Sequence, residues 1–125
     1  MVLLDATVNG HPAALLLDTG ANNSIVNPQA AGVTAVVLRA LQATRAGTGA
    51  EGEYTTREVD LRLADRQFIS QRVLVMDLSD ASKRMGMRVD GFLGQDILRM
   101  FSAVRIDYRA HAVEFEQERR MESFD

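Results

Sequence analysis

The sequence has 125 residues and contains no cysteine and no tryptophan. Without cysteine, a disulfide framework and a thiolate-ligated metal centre are both excluded. The two histidines, His11 and His111, stand near opposite ends of the chain, so a histidine-rich metal site is not expected. Asp77, Asp80 and Asp90 lack the spacing of a calcium loop. The reading therefore expects no metal and no other cofactor. No apolar run approaches the roughly 20 residues that cross a bilayer as a helix, and no membrane segment is expected. The opening Met1-Val2-Leu3-Leu4-Asp5 has neither the basic n-region nor the long apolar h-region of a signal peptide. If Met1 is the native start, a cytoplasmic location follows. Lysine is nearly absent too: Lys83 stands against 13 arginines, a skew that reads as composition bias. With 14 basic and 17 acidic residues, the net charge is −3, which does not fit the basic footprint of a nucleic-acid binder. What is present is a globular balance, 46% hydrophobic and 25% charged, at a length that suits one domain.

Most of the chain reads as strands and turns. Val2 to Val8 is β-prone, and Asn9-Gly10 is the dipeptide that favours a two-residue hairpin turn, because both positions need positive φ. His11 to Leu17 is apolar at almost every position, as in a strand buried on both faces, with Pro12 at its entry. A tight loop is expected from Asp18 to Asn23, then extended backbone at Ser24-Ile25-Val26 and a helical turn opened by Pro28. Val33 to Ala43 suits a helix or a strand, and Gly47, Gly49 and Gly52 then punctuate a flexible tip. Glu53 to Leu63 alternates, with Val59, Leu61 and Leu63 on one face and Glu58, Asp60 and Arg62 on the other. Ala64 to Gln67 reads as a turn. Phe68 to Met76 reads as another strand, with Ile69, Val73 and Val75 as its apolar content. Asp77 to Arg88 is polar and is expected to be a surface loop. Gly94 to Phe101 suits a short helix, and Val104–Tyr108 with Ala112–Phe115 a last hairpin, turning at Arg109-Ala110-His111. The domain is expected to span residues 1–116, with 117–125 as a charged tail.

The chemistry concentrates in Leu15-Leu16-Leu17-Asp18-Thr19-Gly20-Ala21. A carboxylate directly after a buried strand is costly unless it is well hydrogen-bonded. Thr19 offers a hydroxyl to brace the loop, and Gly20 permits close backbone approach. An ordinary turn uses the same residue types, but its place after a buried strand argues for more. A second segment, Val89-Asp90-Gly91-Phe92-Leu93-Gly94-Gln95-Asp96-Ile97-Leu98, runs two apolar residues into a glycine and a helix; alone it is weak, since many strands enter helices this way. Ser24, His11 and an aspartate form a nominal triad, but nothing orders them. Met85 and Met87 read as packing residues before they read as the lining of a channel. Tyr54 suits cross-strand packing or a hydrogen bond at the glycine-rich tip.

Taken together, the two segments resemble the retropepsin-like aspartic proteases. Asp18-Thr19-Gly20-Ala21 looks like that family's catalytic signature, and Phe92-Leu93-Gly94 like the apolar-apolar-glycine element that threads beside it and leads into a short helix. The glycines from Gly47 to Gly52 fall where the family carries its flap. The run from Asp96-Ile97-Leu98 through Ile106-Asp107-Tyr108 to Val113-Glu114-Phe115 is similar to cellular and bacterial members, including the DNA-damage-inducible ones. The resemblance covers Val2 to Phe115. It implies an all-β half-barrel with one short helix, acting as a symmetric homodimer on a peptide or protein substrate. By the same resemblance Asp18, Thr19 and Gly20 are catalytic, and Ala21, Asn22, Gly47, Thr48, Gly49, Phe92 and Leu93 bind substrate.

The signature occurs once. Peptide hydrolysis of this kind needs two carboxylates sharing a proton, one acting as base and the other as acid. The second must then come from a second copy of the chain. Two departures stand out. Where retroviral members often have Asp and Arg, which pair near the dimer contact, this sequence has Asn22 and Gln95: either a neutral hydrogen bond replaces an ion pair, or two amides face solvent. The interlocking terminal strands of retroviral dimers also lack a counterpart, which leaves the Val104–Phe115 hairpin as the dimer element. Two other readings are a catalytically inert dimeric peptide-binding module and an excised piece of a larger protein. The intact Asp-Thr-Gly favours activity over the inert module.

Overall fold

Asn9 and Gly10, at φ of 51° and 81°, turn β1 (Leu3–Val8) back onto β2 (His11–Leu17) in the antiparallel register Leu3↔Leu16 to Val8↔His11. The computed structural model describes residues 2–33 and 54–117. The ambiguous segment beyond Val33, the glycine-punctuated tip with Gly47, Thr48, Gly49 and Gly52, and the tail from residue 118 onward lie outside the described residues. After the loop that follows β2 comes β3 (Ile25–Val26); Pro28 lies in a turn in which Val33 N–H donates to the Pro28 carbonyl at 2.8 Å.

The long hairpin of β4 (Thr55–Leu63) and β5 (Arg66–Val75) forms the next part of the wall. Along β4 the expected alternation holds: Val59, Leu61 and Leu63 are buried, and Glu58, Asp60 and Arg62 are exposed. In β5 the pattern breaks. Val73 and Val75 are buried, but Ile69 is 64% exposed and Phe68 points inward instead. The pairs Val59↔Gln71 and Leu61↔Phe68 leave Asp60 facing both Ile69 and Ser70, one residue too many on β5. This bulge puts Ser70 at φ 51°, reverses the side-chain phase, and is braced by Ser70 N–H donating to Asp60 Oδ1 at 3.0 Å.

Asp77 to Arg88 is not simply a loop. It contains α1 (Ser79–Met85), which ends at Gly86 in the left-handed region at φ 67°. None of its residues is buried, so it has no apolar stripe for periodicity to reveal. The strand β6 (Gly91–Leu93) and α2 (Gln95–Leu98) follow. The described residues thus hold two helices where one was expected, and α2 is shorter than the Gly94–Phe101 reading because Phe101 already begins β7 (Phe101–Asp107).

β6 is the keystone of the topology. It runs parallel to β2 and antiparallel to β3, and the barrel closes in the order β1-β2-β6-β3-β5-β4. β2 and β3 are neighbours in sequence but not in space. Their connection, Asp18 to Ser24, must arch over β6 across two strand spacings, about 10 Å. The core inside the barrel includes Val8, Leu15, Leu61, Leu63, Val75, Leu93 and Ile97. A separate ribbon of β7 and β8 (Ala112–Gln117) packs on it. The Phe101 ring meets Phe68 edge-on at 5.8 Å and Phe115 at 4.8 Å, and the Arg66 guanidinium lies 5.2 Å from both the Phe68 and the Phe101 ring centroids.

Candidate active site

The Asp18 loop is built almost wholly from hydrogen bonds to the β6–α2 segment. Asp18 N–H donates to the Leu93 carbonyl at 3.0 Å, carrying the β2–β6 pairing one residue past the strand. Asp18 then closes a turn of its own: Oδ1 accepts from Gly20 N–H at 3.1 Å and its carbonyl from Ala21 N–H at 3.3 Å. The first of these fixes the direction of the carboxylate. Among the described residues, Asp18 is half-buried while Thr19 and Gly20 are exposed, so its carboxyl group sits at the mouth of the loop, held by Gly20 N–H.

From the other side, Gln95 Nε2 donates to the Thr19 carbonyl at 2.8 Å, Gln95 N–H to the Ala21 carbonyl at 2.8 Å, and Asp96 N–H to the Asn22 carbonyl at 3.0 Å. Gln95 therefore belongs to the Asp18 loop of its own chain through a neutral hydrogen bond, but its amide nitrogen reaches the Thr19 backbone. Asn22 is exposed and Ala21 half-buried. Phe92 is half-buried, opposite Leu16 and Ile25. Leu93 is fully buried; its side chain is part of the core, and what it offers the loop is a carbonyl.

Two glycines let these strands approach. A Cβ on Gly91 would lie 2.5 Å from the Ile25 carbonyl oxygen and 2.7 Å from Leu15 Cδ2, and one on Gly94 would lie 2.8 Å from both the carbonyl carbon and oxygen of Asn23. Gly20 differs: its only neighbour would be Asp18 Oδ1, at an ordinary 3.5 Å.

Sequence reasoning missed a pair. Ser24, weighed only as a nucleophile, is the buried polar residue among those described, 2% exposed. Its N–H donates to Asp96 Oδ1 and Oδ2 at 3.0 and 2.9 Å, and its hydroxyl to Asp96 Oδ1 at 2.7 Å. The same hydroxyl accepts from Gly94 N–H at 2.9 Å, and Asp96 Oδ1 also accepts from Ile97 N–H at 2.9 Å. The available signal was an acidic residue in the first turn of a helix, a position where carboxylates cap free N–H groups.

Below the site, Asp90 ties the start of β6 to β2 and to the residue after β3. Its N–H donates to the Ala14 carbonyl, its Oδ2 accepts from Ala14 N–H, and its carbonyl accepts from Asn27 N–H, at 2.7 to 2.8 Å. Arg88 grips the same carboxylate through Nε and Nη2 at 2.9 to 3.1 Å. Burial pushes the Asp90 carboxyl up, but the hydrogen bonds from Arg88 and Ala14, with the Arg88 charge, outweigh it and hold the group below its ordinary value of 3.8. Among the described residues no group of three or more His, Asp or Glu side chains could hold a metal ion.

A protein-family model described as "Aspartyl protease" matches residues 4–97. No curated protein matches the chain. Among solved structures, the retroviral protease-like domain of Ddi1 from Leishmania major is similar, with a TM-score of 0.57 at 19% identity, over 92% of this chain and 87% of that one. A retropepsin-like aspartic protease from Rickettsia conorii gives a TM-score of 0.56 at 22% identity, over 84% and 75%. At these identities the likeness speaks for the fold, and the family model speaks for descent. The six-stranded barrel with its inserted β6 is the retropepsin-like fold, and the chain belongs to the aspartyl protease family.

Proposed function

We propose that the protein is an aspartic endopeptidase whose active site forms between two copies of the chain, each contributing Asp18. The observation that carries this reading is the Asp18 loop. Its carboxylate is aimed by Gly20 N–H, its backbone is anchored on Leu93, and Thr19 and Gly20 beside it are exposed among the described residues. One carboxylate of the pair takes a proton from the attacking water. The other gives its proton to the oxygen of the scissile carbonyl, which becomes a tetrahedral diol. When the diol collapses, the C–N bond breaks, the protonated carboxyl gives its proton to the leaving nitrogen, and a diol hydroxyl gives its proton to the other carboxylate, so the pair again holds one proton. Thr19, Gly20, Ala21, Asn22 and Phe92 would border the bound peptide. The peptide lies as an added strand held by main-chain hydrogen bonds.

The β7–β8 ribbon supports the dimer reading. A groove of about 400 Å³ lies between the start of β1 and the ribbon's tip, lined by Val2, Leu3, Ile106, Asp107, Tyr108 and His111, among others. The Val2 carbonyl accepts from Leu17 N–H, so the groove opens on the Asp18 side of the barrel. Leu3 and Tyr108 are 42% and 70% exposed there, apolar surface that a second copy would cover.

Cleavage of a proteome-derived peptide library by the wild-type protein, with Asp18→Asn in parallel, tests the proposal. The amide keeps an oxygen for Gly20 N–H, so the variant is expected to stay folded while cleavage falls to background. Sedimentation at micromolar concentration is expected to show twice the chain mass. Residual cleavage by folded Asp18→Asn above a mock purification, or an active strict monomer, would overturn the mechanism. Peptide capture without turnover by the wild type would leave a binding module.

A further inference from the structure

Three carbonyls of the Asp18 loop, those of Thr19, Ala21 and Asn22, accept from only two residues, Gln95 and Asp96. The loop's exit at Ser24 is held by the Asp96 carboxylate, and the Ser24 hydroxyl in turn holds Gly94 N–H. Gly94 follows Leu93, whose carbonyl receives Asp18 N–H. These contacts close a ring that runs from Asp18 through Leu93, Gly94, Ser24 and Asp96 back along the loop. Asp96 is the member that joins its two ends. We infer that Asp96 is a positioning residue for Asp18, acting through Ser24 and Gly94 without touching the substrate. The inference rests on the protease reading for its kinetic consequence, but the ring itself stands on geometry alone.

The donor arrangement makes the claim specific. Ser24 N–H, the Ser24 hydroxyl and Ile97 N–H all reach Oδ1, and only Ser24 N–H also reaches Oδ2. One well-placed acceptor oxygen therefore does most of the work, and negative charge is secondary. Removing the whole carboxylate leaves both donors of a 2%-exposed residue, the Ser24 N–H and hydroxyl, without their acceptor, and the ring opens to recover them. A shift of about 1 Å in a catalytic group costs about 100-fold in rate.

The test compares Asp96→Ala with Asp96→Asn on a peptide that the wild type cleaves. For Asp96→Ala, kcat is expected to fall about 10- to 100-fold, with KM within about threefold, since ground-state binding is not what the ring supplies. Asp96→Asn, whose amide oxygen can take the Oδ1 place while its NH2 would face Ser24 N–H in the Oδ2 place, is expected to recover part of the loss. If Asp96→Ala does not fold, Ser24→Ala carries the test: it removes the hydroxyl's two bonds with little change in volume, and the same kcat-only loss is expected. The carboxyl-carbon resonance of Asp18 gives a readout that needs no turnover, and it is expected to move in the alanine variant and return in the asparagine variant. Wild-type kcat in a folded, dimeric Asp96→Ala protein would overturn the inference. So would a loss confined to KM, a loss that follows the folded fraction, or equal damage from Ala and Asn. Should the wild type cleave nothing, the protease reading fails, and the Asp18 resonance alone decides whether Asp96 positions it.

Discussion

Gly20 and Gly94 are both glycines of the site, yet the chain needs them for different reasons. At Gly94 a side chain would enter the Asn23 backbone, and at Gly91 the Ile25 carbonyl. The fold itself forbids it. At Gly20 the space is free apart from Asp18 Oδ1, and Gly20 is not among the left-handed glycines of the described residues. Among the described residues, nothing in the fold forbids a side chain at Gly20. Gly94→Ala is therefore expected to lower stability by about 1–3 kcal/mol or more, measured by urea unfolding. Gly20→Ala is expected to stay within about 0.5 kcal/mol of the wild type while losing dimerisation or cleavage. An equal loss of stability in both would remove the distinction. Asp18 was legible in the sequence because a carboxylate after a buried run is conspicuous. Ser24 and Asp96 were not, because each is an ordinary polar residue until two positions 72 apart in the chain are folded together.

Elements differ in what makes them readable. β4 shows its alternation in plain sequence because one face is core and the other water. α1 hides because it buries nothing, and β5 misleads because one extra residue at Ile69–Ser70 moves the apolar phase. β6 is three residues long, too short for any period, and was found only through the glycine after it. Its anchor is sensitive to acid. The Asp90 carboxyl is held below 3.8 in the folded protein by Arg88 and Ala14, so the unfolded chain takes up that proton more readily than the folded one. The stabilisation is complete above the unfolded value and is lost as pH falls through the lower, folded one. Unfolding by denaturant between pH 6 and about 2.5 is expected to show a smaller acid loss in Asp90→Asn than in the wild type. An unchanged slope would mean the clamp has no linkage to folding. The ribbon is held by packing instead. Phe101→Ala removes the ring that meets both Phe68 and Phe115 and is expected to cost about 3–5 kcal/mol, read from the urea midpoint.

At the scale of the whole molecule, the mostly β class was legible in the sequence, whereas the order of strands around the barrel was not. No local pattern says that β6 enters between β2 and β3, because that placement is decided by which core faces fit together. If two Asp18 carboxylates share a proton across the dimer, the pH–rate profile is expected to be bell-shaped, both limbs belonging to the pair. A profile with a single limb would point to one titrating group.

The insertion of β6 also sets a schedule. Asp18 is made before the strand that carries its anchor, which follows more than seventy residues later. Until Gly91 to Leu93 and the Gln95 and Asp96 that follow have been made, the loop lacks the partners that hold it. Such long-range closure is slow compared with a local hairpin. During synthesis the Asp18 carboxyl group is thus present before the contacts that hold its loop, and a chain cut short before Gly91 would carry Asp18-Thr19-Gly20 without the means to hold it.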